Sequence, residues 1–594
     1  MPRINTLSSF RAAAATALVV SAAACNSWSP PAPPPSGPPP APPDEVVHAR
    51  PPTRARATVA KVASTTTSTS FAPLRDRVID ELLRDEPSLG RAMGLHEFDG
   101  KIADYSAAGI AARVDRLTRI RAELAGVTGS ISANDALDLA LLTGHIDLTL
   151  FRLVDLAEPK RRPQFYDELF AVNSYLDREY APITDRARAL LAHEQASLAQ
   201  IKNVRANLVS PMSRPIVETA AKIYGGYAKY LRGDVVKLLT GVGDAAFQES
   251  FTKTNEALAK EADALAKHLT TVEVPRGDTS HILGPERYRK LLLVQEGLSI
   301  PLAEFKAMGE KNLAINKKAY EELHKTTKIT RPKASELLSE ATRLMDSSRK
   351  FVLEKQLVTI PTEEKAILKE TPPYKQWNAA FLDPPGPFET AKLNAFYYIT
   401  MPDKSWKKKE QEEYIMPLGI LMSTTVHEVY PGHFLQGLWA NAAPTRAQKI
   451  FGSYSFIEGW AHYGEQLMVE EGFGAEDPQN RLGQLSDALL RNCRFVVSVG
   501  VHTEGMSMGD AEKRFMTDCF QDKATAREQA ARAAFDPGYF AYTLGKIQIL
   551  DLREEAKKAM GQKFTLKRFH DALLSHGSPP VPVIRARVLE ELSR

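Results

Sequence analysis

Residues 257–269 read Ala257-Leu258-Ala259-Lys260-Glu261-Ala262-Asp263-Ala264-Leu265-Ala266-Lys267-His268-Leu269. Apolar side chains at Ala257, Leu258, Ala262, Leu265 and Leu269 fall at helical spacing with charges between them. A helix that buries one stripe and wets the other has this period. The same spacing runs through Leu74, Val78, Leu82 and Leu83, and again through Leu191, Leu198, Ile201 and Val204. Alternating β-branched runs closed by Asn-Gly or Asp-Gly turns are scarce. The pattern predicts a mainly α-helical body over 71–594, with a helical N-terminal half (71–300) and a half carrying the chemistry (301–594). Pro/Gly breaks interrupt it at Val274–Pro285 and Pro361–Pro387, and the second is long enough to read as a functional loop.

The chain has 594 residues, 76 basic against 72 acidic side chains and a formal charge of +4. That balance argues against a nucleic-acid binder, which needs a basic face. Hydrophobic residues make up 43%, enough for a large core. Three cysteines exclude a disulfide-built scaffold. Cys493 and Cys519 lie on periodic stretches and read as small buried apolar residues, with oxidation open to them in an exported protein.

The first 70 residues carry a different signal. Arg3 and Arg11 precede or open an apolar stretch, Ala12 to Ala24, which ends Ser21-Ala22-Ala23-Ala24-Cys25. This resembles a lipoprotein signal peptide over 1–24, with Cys25 acylated as the first mature residue. An ordinary secretory peptide cut after Ala24 is the other reading. Asn26, in place of an Asp, points to the outer rather than the inner membrane. The apolar run is about a dozen residues, too short to span a bilayer. Residues 25–70 are rich in Pro, Ser and Thr, with Pro33-Pro34-Pro35 and Pro38-Pro39-Pro40, and predict a disordered, extended spacer. The expected attachment to the cell envelope is therefore a lipid anchor.

Chemistry concentrates in Thr424-Thr425-Val426-His427-Glu428-Val429-Tyr430-Pro431-Gly432-His433-Phe434-Leu435-Gln436. Two histidines beside a carboxylate suit a metal site in which His427 and His433 ligate and Glu428 acts on a water. Histidines four apart share a helix face; these are six apart, roughly 120° out of register on a regular helix. Pro431 removes a backbone donor and clashes with the preceding turn, so a bulge there could bring His433 back to the side of His427. A third ligand is expected from Glu458, which shares a helix face with His462 and Glu465. Glu458 as ligand with His462 or Glu465 orienting is one assignment; His462 as ligand with Glu458 supporting is the other. The separate His193-Glu194 pair lacks a nearby second histidine and reads as surface helix.

These residues resemble the bacterial domain-of-unknown-function 885 family, related to helical zinc metallopeptidases of the gluzincin type. The resemblance rests on His427-Glu428-x-x-Pro431-Gly432-His433 and Glu458-Gly459-Trp460-Ala461. It continues through the run from Arg494 to His502, through Tyr542-Thr543-Leu544-Gly545-Lys546 with Arg553 beyond, and more weakly through Ala92-Met93-Gly94-Leu95-His96-Glu97-Phe98-Asp99. It implies a two-lobed helical body with a central cleft, Zn²⁺ held by His427, His433 and Glu458, and Glu428 as base. It also implies His502 and Tyr542 as oxyanion donors, and Arg494 and Arg553 as partners of a substrate carboxylate or of a structural ion pair. Ser498 departs from the family pattern, which has Asp there. The expected protein is a lipid-anchored zinc-dependent hydrolase of the cell envelope cleaving oligopeptides. The alternatives are a non-catalytic binding lipoprotein with a degenerate metal site, or a metal-dependent hydrolase of a non-peptide amide or ester.

Overall fold

The computed structural model describes residues 71–372, 375–376 and 379–594. The signal peptide (1–24), Cys25 and the spacer to residue 70 lie outside the described residues. Helices dominate the rest, as the periodicity predicts.

Helix α1 (Phe71–Asp85) buries Val78, Leu82 and Leu83, the positions its spacing marks. After two intervening helices, Pro87–Ala92 and Ala107–Ala125, come α2 (Ala133–Leu150), α3 (Ile183–Asn207), α4 (Arg214–Tyr230) and α5 (Ala245–His268). Asp244 caps α5 by accepting the Phe247 N–H, and Leu258, Ala262 and Leu265 are buried. One core joins Leu190, Ile201 and Val204 of α3 with Val217 and Tyr224 of α4 and Leu258 of α5. Here the reading of His193-Glu194 as surface helix is corrected, since both side chains are fully buried. Their positions continue the stripe of Leu190, Ile201 and Val204. His193 is satisfied by the Glu168 carbonyl at 2.9 Å and the Tyr175 hydroxyl at 3.1 Å, and burial lowers its pKa to about 3.

Helices α6 (Leu302–His324) and α7 (Leu337–Glu354) lead into the proline-rich stretch read as a loop. It is not all loop. Strands β1 (Ile367–Glu370) and β2 (Ala380–Asp383) form a small sheet with β3 (Phe396–Ile399) in the order β1-β3-β2. β1 is parallel and β2 antiparallel to β3. The Phe396-Tyr397-Tyr398-Ile399 run has the aromatic and β-branched content that favours a pleated, half-buried strand. β2 stops where Pro384 and Pro385 follow, residues that cannot donate to a ladder. Among the described residues, the outer edge of β2 carries no further strand.

The C-terminal elements include α8 (Leu418–Glu428), α9 (His433–Asn441), α10 (Tyr454–Glu470), α11 (Pro478–Thr503), α12 (Met508–Asp518), α13 (Lys523–Phe535), α14 (Ala541–Met560), α15 (Leu566–Leu574) and α16 (Val581–Ser593). A second core joins α1 and α2 to α7, α8, α10 and α14, so the first described helices support the C-terminal ones. Helices α10 and α14 touch backbone to backbone. A Cβ on Gly459 would run into Gly545, and one on Gly545 into the Ser455 carbonyl, so only glycine permits this approach. Phe456 and Trp460, on the same helix, are fully buried.

Cys493 and Cys519 are buried, but not as separate thiols. They form a disulfide with Cα atoms 6.3 Å apart, because α12 folds back along α11. No helix among the described residues is long and apolar enough to cross a membrane.

Candidate metal centre

Helix α8 ends at Glu428 and α9 begins at His433. The proline does more than bulge a continuous helix, as the spacing led us to expect: it separates two helices. The Tyr430–Pro431 peptide is cis. Gly432, at φ −68° and ψ −137°, sits under the end of α8, where a Cβ would collide with the His427 carbonyl. Its N–H donates to the Val426 carbonyl at 3.0 Å. Trp460 Nε1–H donates to the Pro431 carbonyl at 2.8 Å and ties the break to α10. The outcome is convergence: the His427 and His433 rings lie 4.6 Å apart, nearly perpendicular at 82°.

Helix α10 supplies the third group. Glu458 Oε2 lies 3.3 Å from His427 Nε2 and 3.6 Å from His433 Nε2. The three candidate ligand atoms all fall within 4.8 Å of one another. Glu458 Oε2 is buried without a hydrogen-bond partner, and a buried carboxylate oxygen left so calls for a compensating group. Ligands about 2.0–2.1 Å from a tetrahedral zinc are about 3.3 Å apart, so the observed separations fit such an ion. Of the two assignments open in the sequence, the geometry places Glu458 against both imidazoles. Burial would raise the Glu458 carboxyl, but the facing histidines hold it down at about 2.

Behind His427, its Nδ1 lies 2.6 Å from Glu465 Oε1. Arg491, on α11, grips the same carboxylate, with Nη1 3.0 Å from Oε2 and Nη2 2.9 Å from Oε1. His462 Nδ1 approaches Glu465 Oε2 at 3.2 Å. Burial would raise Glu465, yet Arg491 and the two histidines hold it well below the usual carboxylate range. His427 shows the reverse balance: burial and Arg491 oppose its charge, while Glu458 and Glu465 carry its pKa up to about 9. Arg491 was not singled out in the sequence, because an arginine between apolar helical positions reads as a solvated side chain.

Glu428 stands at the end of α8 beside the cluster. One of its oxygens, Oε2, accepts the Leu382 N–H from the edge strand β2 at 2.9 Å. Burial raises its pKa, with His433 and His427 opposing. Tyr542, near the start of α14, packs its ring on Tyr454 at 5.8 Å, and Tyr454 lies one turn before Glu458 on α10. Burial, followed by the Glu458 charge, pushes its phenol up to about 12.

Two residues implied by the resemblance are not brought to the cluster. His502 lies about 16 Å beyond Arg491 along the axis of α11. Its Nε2–H donates to the Ala533 carbonyl at 2.8 Å, and its ring faces Tyr288 at 6.0 Å. Arg553 binds Glu470 at 3.4 Å and the Tyr463 hydroxyl at 3.2 Å, an ion pair and hydrogen bond within the fold. Ser498, the departure from the family pattern, pairs with the Tyr288 hydroxyl at 3.0 Å and the Pro537 carbonyl at 2.8 Å, on the His502 side. Arg494 lies on the Tyr542 side: its guanidinium carbon is 4.8 Å from the centroids of both Tyr539 and Tyr542.

Fold and site together define a helical protein with a buried His–His–Glu cluster of metal-ligand geometry beside the edge of a small sheet. The chain belongs to the family described as "Bacterial protein of unknown function (DUF885)", which it matches over residues 87–588. Among solved structures it is similar to a predicted lipoprotein of unknown function from Shewanella oneidensis. That likeness has 24% identity and a TM-score of 0.73, and covers 88% of this chain and 100% of that one. It is also similar to a predicted lipoprotein from Colwellia psychrerythraea, with 18% identity and a TM-score of 0.66, covering 88% of this chain and 98% of that one. No curated protein matches the chain.

Proposed function

We propose that this protein is a zinc-dependent hydrolase that cleaves peptide-like substrates, held at the cell envelope by a lipid on Cys25. The observation that carries this reading is the unsatisfied Glu458 Oε2 facing the Nε2 atoms of two imidazoles, with Glu428 alongside. His427, His433 and Glu458 would hold the ion. Bound zinc would supply a Lewis acid that polarises a carbonyl and brings the pKa of water to about 7.

The protein's own groups supply the rest. Glu428 is fixed through one oxygen by the Leu382 N–H, and its proton affinity is raised by burial. It can therefore take a proton from the attacking water and pass it to the leaving amine. Tyr542 stays protonated at neutral pH and feels the Glu458 charge, which makes it the candidate to donate toward charge developing there. The outer edge of β2, which carries no further strand among the described residues, favours a peptide over a compact ester or amide, because an extended chain can lie along it. The lipid anchor is supported by the small-residue run before Cys25 and by the description of both structural neighbours as predicted lipoproteins.

The test compares wild type with Glu428→Gln on a mixed oligopeptide library in the presence of zinc. The variant should keep the metal and lose about 10²–10⁴-fold in rate. Wild-type turnover by Glu428→Gln would overturn the base assignment. No cleavage by wild type would leave the binding-lipoprotein reading.

A further inference from the structure

Glu428 is held by a short strand, and an ion cluster holds that strand in turn. β2 is four residues long and ends at Asp383. Leu382 stands opposite Tyr397 of β3, and Asp383 opposite Phe396. Successive side chains of a strand point to opposite faces. Leu382 accordingly turns into the core, at 5% exposed, while the Asp383 carboxylate meets Lys375. Lys375 Nζ lies 2.6 Å from Asp383 Oδ2 and 3.0 Å from Asp177 Oδ2. Arg178 Nη2 binds the other Asp383 oxygen. Asp177 and Arg178 belong to the N-terminal half, in the run that leads into α3.

The cluster is buried and fixed at its far end. Lys375 is only 6% exposed, and its ammonium also sits 5.2 Å from the Tyr398 ring centroid. Burial opposes the charge on Lys375, but Asp177 and Asp383 carry its pKa above the ordinary value. Burial would likewise raise the Asp383 carboxyl, and Lys375 with Arg178 holds it down. Asn173 Nδ2–H donates to Asp177 Oδ2 at 2.9 Å. Arg178 Nη1–H donates to the Asn394 carbonyl at 3.0 Å, just ahead of β3. The N-terminal half therefore grips both strands beside Glu428.

Exposed ion pairs contribute little, but loss of one partner from a buried cluster leaves a charge uncompensated. A four-residue strand holds its own register weakly. The Leu382 amide is the residue next to the Asp383 anchor, so slack there passes to the 2.9 Å contact with Glu428. Misplacing a reacting group by about 1 Å can cost about a hundredfold in rate.

We propose that Asp383, clamped by Lys375 and Arg178, is a positioning residue for Glu428. It fixes β2 so that the Leu382 N–H meets the carboxylate, and the N-terminal half thereby sets the orientation of the base. This rests on the hydrolase reading above.

The test places Asp383→Asn in wild type and in Glu428→Gln, using full-length protein loaded with zinc and one peptide that wild type cleaves. In wild type the substitution should lower kcat about tenfold and change KM less than about twofold. In Glu428→Gln it should change kcat less than about twofold, because the base it acts through is gone. A merely structural role would lower both backgrounds by the same factor, and equal losses would overturn the proposal. Arg178→Gln leaves the Lys375–Asp383 pair in place and should show the same non-additivity on a smaller scale. Equal losses in its two backgrounds would overturn the proposal as well.

Amide exchange supplies a readout that needs no turnover. Exchange across residues 380–383 should quicken about tenfold in Asp383→Asn, with α8 unchanged. Unaltered exchange there would overturn the proposal. Failure of the hydrolase reading looks different: wild type would cleave no peptide while exchange at 380–383 still depended on Asp383. That result removes the base, and the positioning role with it. Conversely, turnover by wild type with equal losses in both backgrounds would leave the hydrolase standing and remove the positioning role alone.

Discussion

His427 Nδ1 and Glu465 Oε1 are 2.6 Å apart, and this contact decides which face of the imidazole is offered to a metal. Glu465 is held ionised by Arg491, so it can only accept, and Nδ1 must carry the hydrogen. Arg491 Nη2, 3.2 Å from Nδ1, is a second donor directed at the same carboxylate. Nε2 is thereby turned toward Glu458 and His433, and it must lose its own proton before it can ligate a metal. Glu465→Gln should weaken zinc binding by about 10–100-fold while leaving the three ligand residues in place. Competition against a chelating dye measures it. An unchanged affinity would mean that Glu465 only supports the fold.

The approach of α10 to α14 depends on two glycines. Gly459→Ala puts a methyl group into the Gly545 backbone, which has no side chain to move aside. Overpacking of this kind should cost about 1–3 kcal/mol, seen as a lower denaturant midpoint. It should also move Tyr542 of α14 away from Glu458, so turnover should fall more than stability alone explains. Gly437→Ala, where a Cβ would meet nothing within 4 Å, is the control.

His570, on α15, is buried between the Leu357 carbonyl at 2.7 Å and the Tyr463 hydroxyl at 2.8 Å. Burial lowers its pKa from 6.5 to about 4. The unfolded chain then binds a proton between those values and the folded chain does not. Its contribution to stability is full above pH 6.5 and is lost as pH falls toward 4, by about 1.4 kcal/mol per unit. The stability gap between wild type and His570→Gln should therefore narrow over that window. Urea titrations at pH 7.5, 6.0 and 5.0 check this, and a gap independent of pH would contradict it.

The Cys493–Cys519 disulfide closes a loop with a sequence separation of 26. Chain-entropy reasoning gives it about 3.5 kcal/mol. Cys493 lies between Arg491 and Arg494 on α11, so the bond also steadies the helix that presents both. Reduction should lower the unfolding midpoint and weaken zinc binding less than Glu465→Gln does. A reduced protein as stable as the oxidised one would argue against a structural role.

Much of this could be read from the sequence because burial and helical period coincide. Leu258, Ala262 and Leu265 face inward at the positions their spacing marks. The candidate cluster was legible by residue type, with His427, His433 and Glu458 brought together as a set. The form of the break was less so: a proline after a helix permits a bulge or a stop, and tertiary anchoring by Trp460 belongs to the stop. His193 and Glu194 look solvated in one dimension because polarity alone cannot tell a buried polar position from a wet one; His193 is hydrogen-bonded there, while both Glu194 oxygens are buried without a partner. The four-residue strands β1 and β2 are too short, and too interrupted by proline, to outweigh the loop signals around them. Arg491 and the disulfide depend on how α11 meets α10 and α12, which no local spacing records.

The central claim is that His427, His433 and Glu458 hold one ion together. It is tested most directly by metal analysis of the gently purified protein and of Glu458→Gln after equilibration with limiting zinc. The account predicts about one equivalent in wild type and a loss of tight binding in the variant. Less than about a tenth of an equivalent in wild type, or full occupancy in Glu458→Gln, would contradict it.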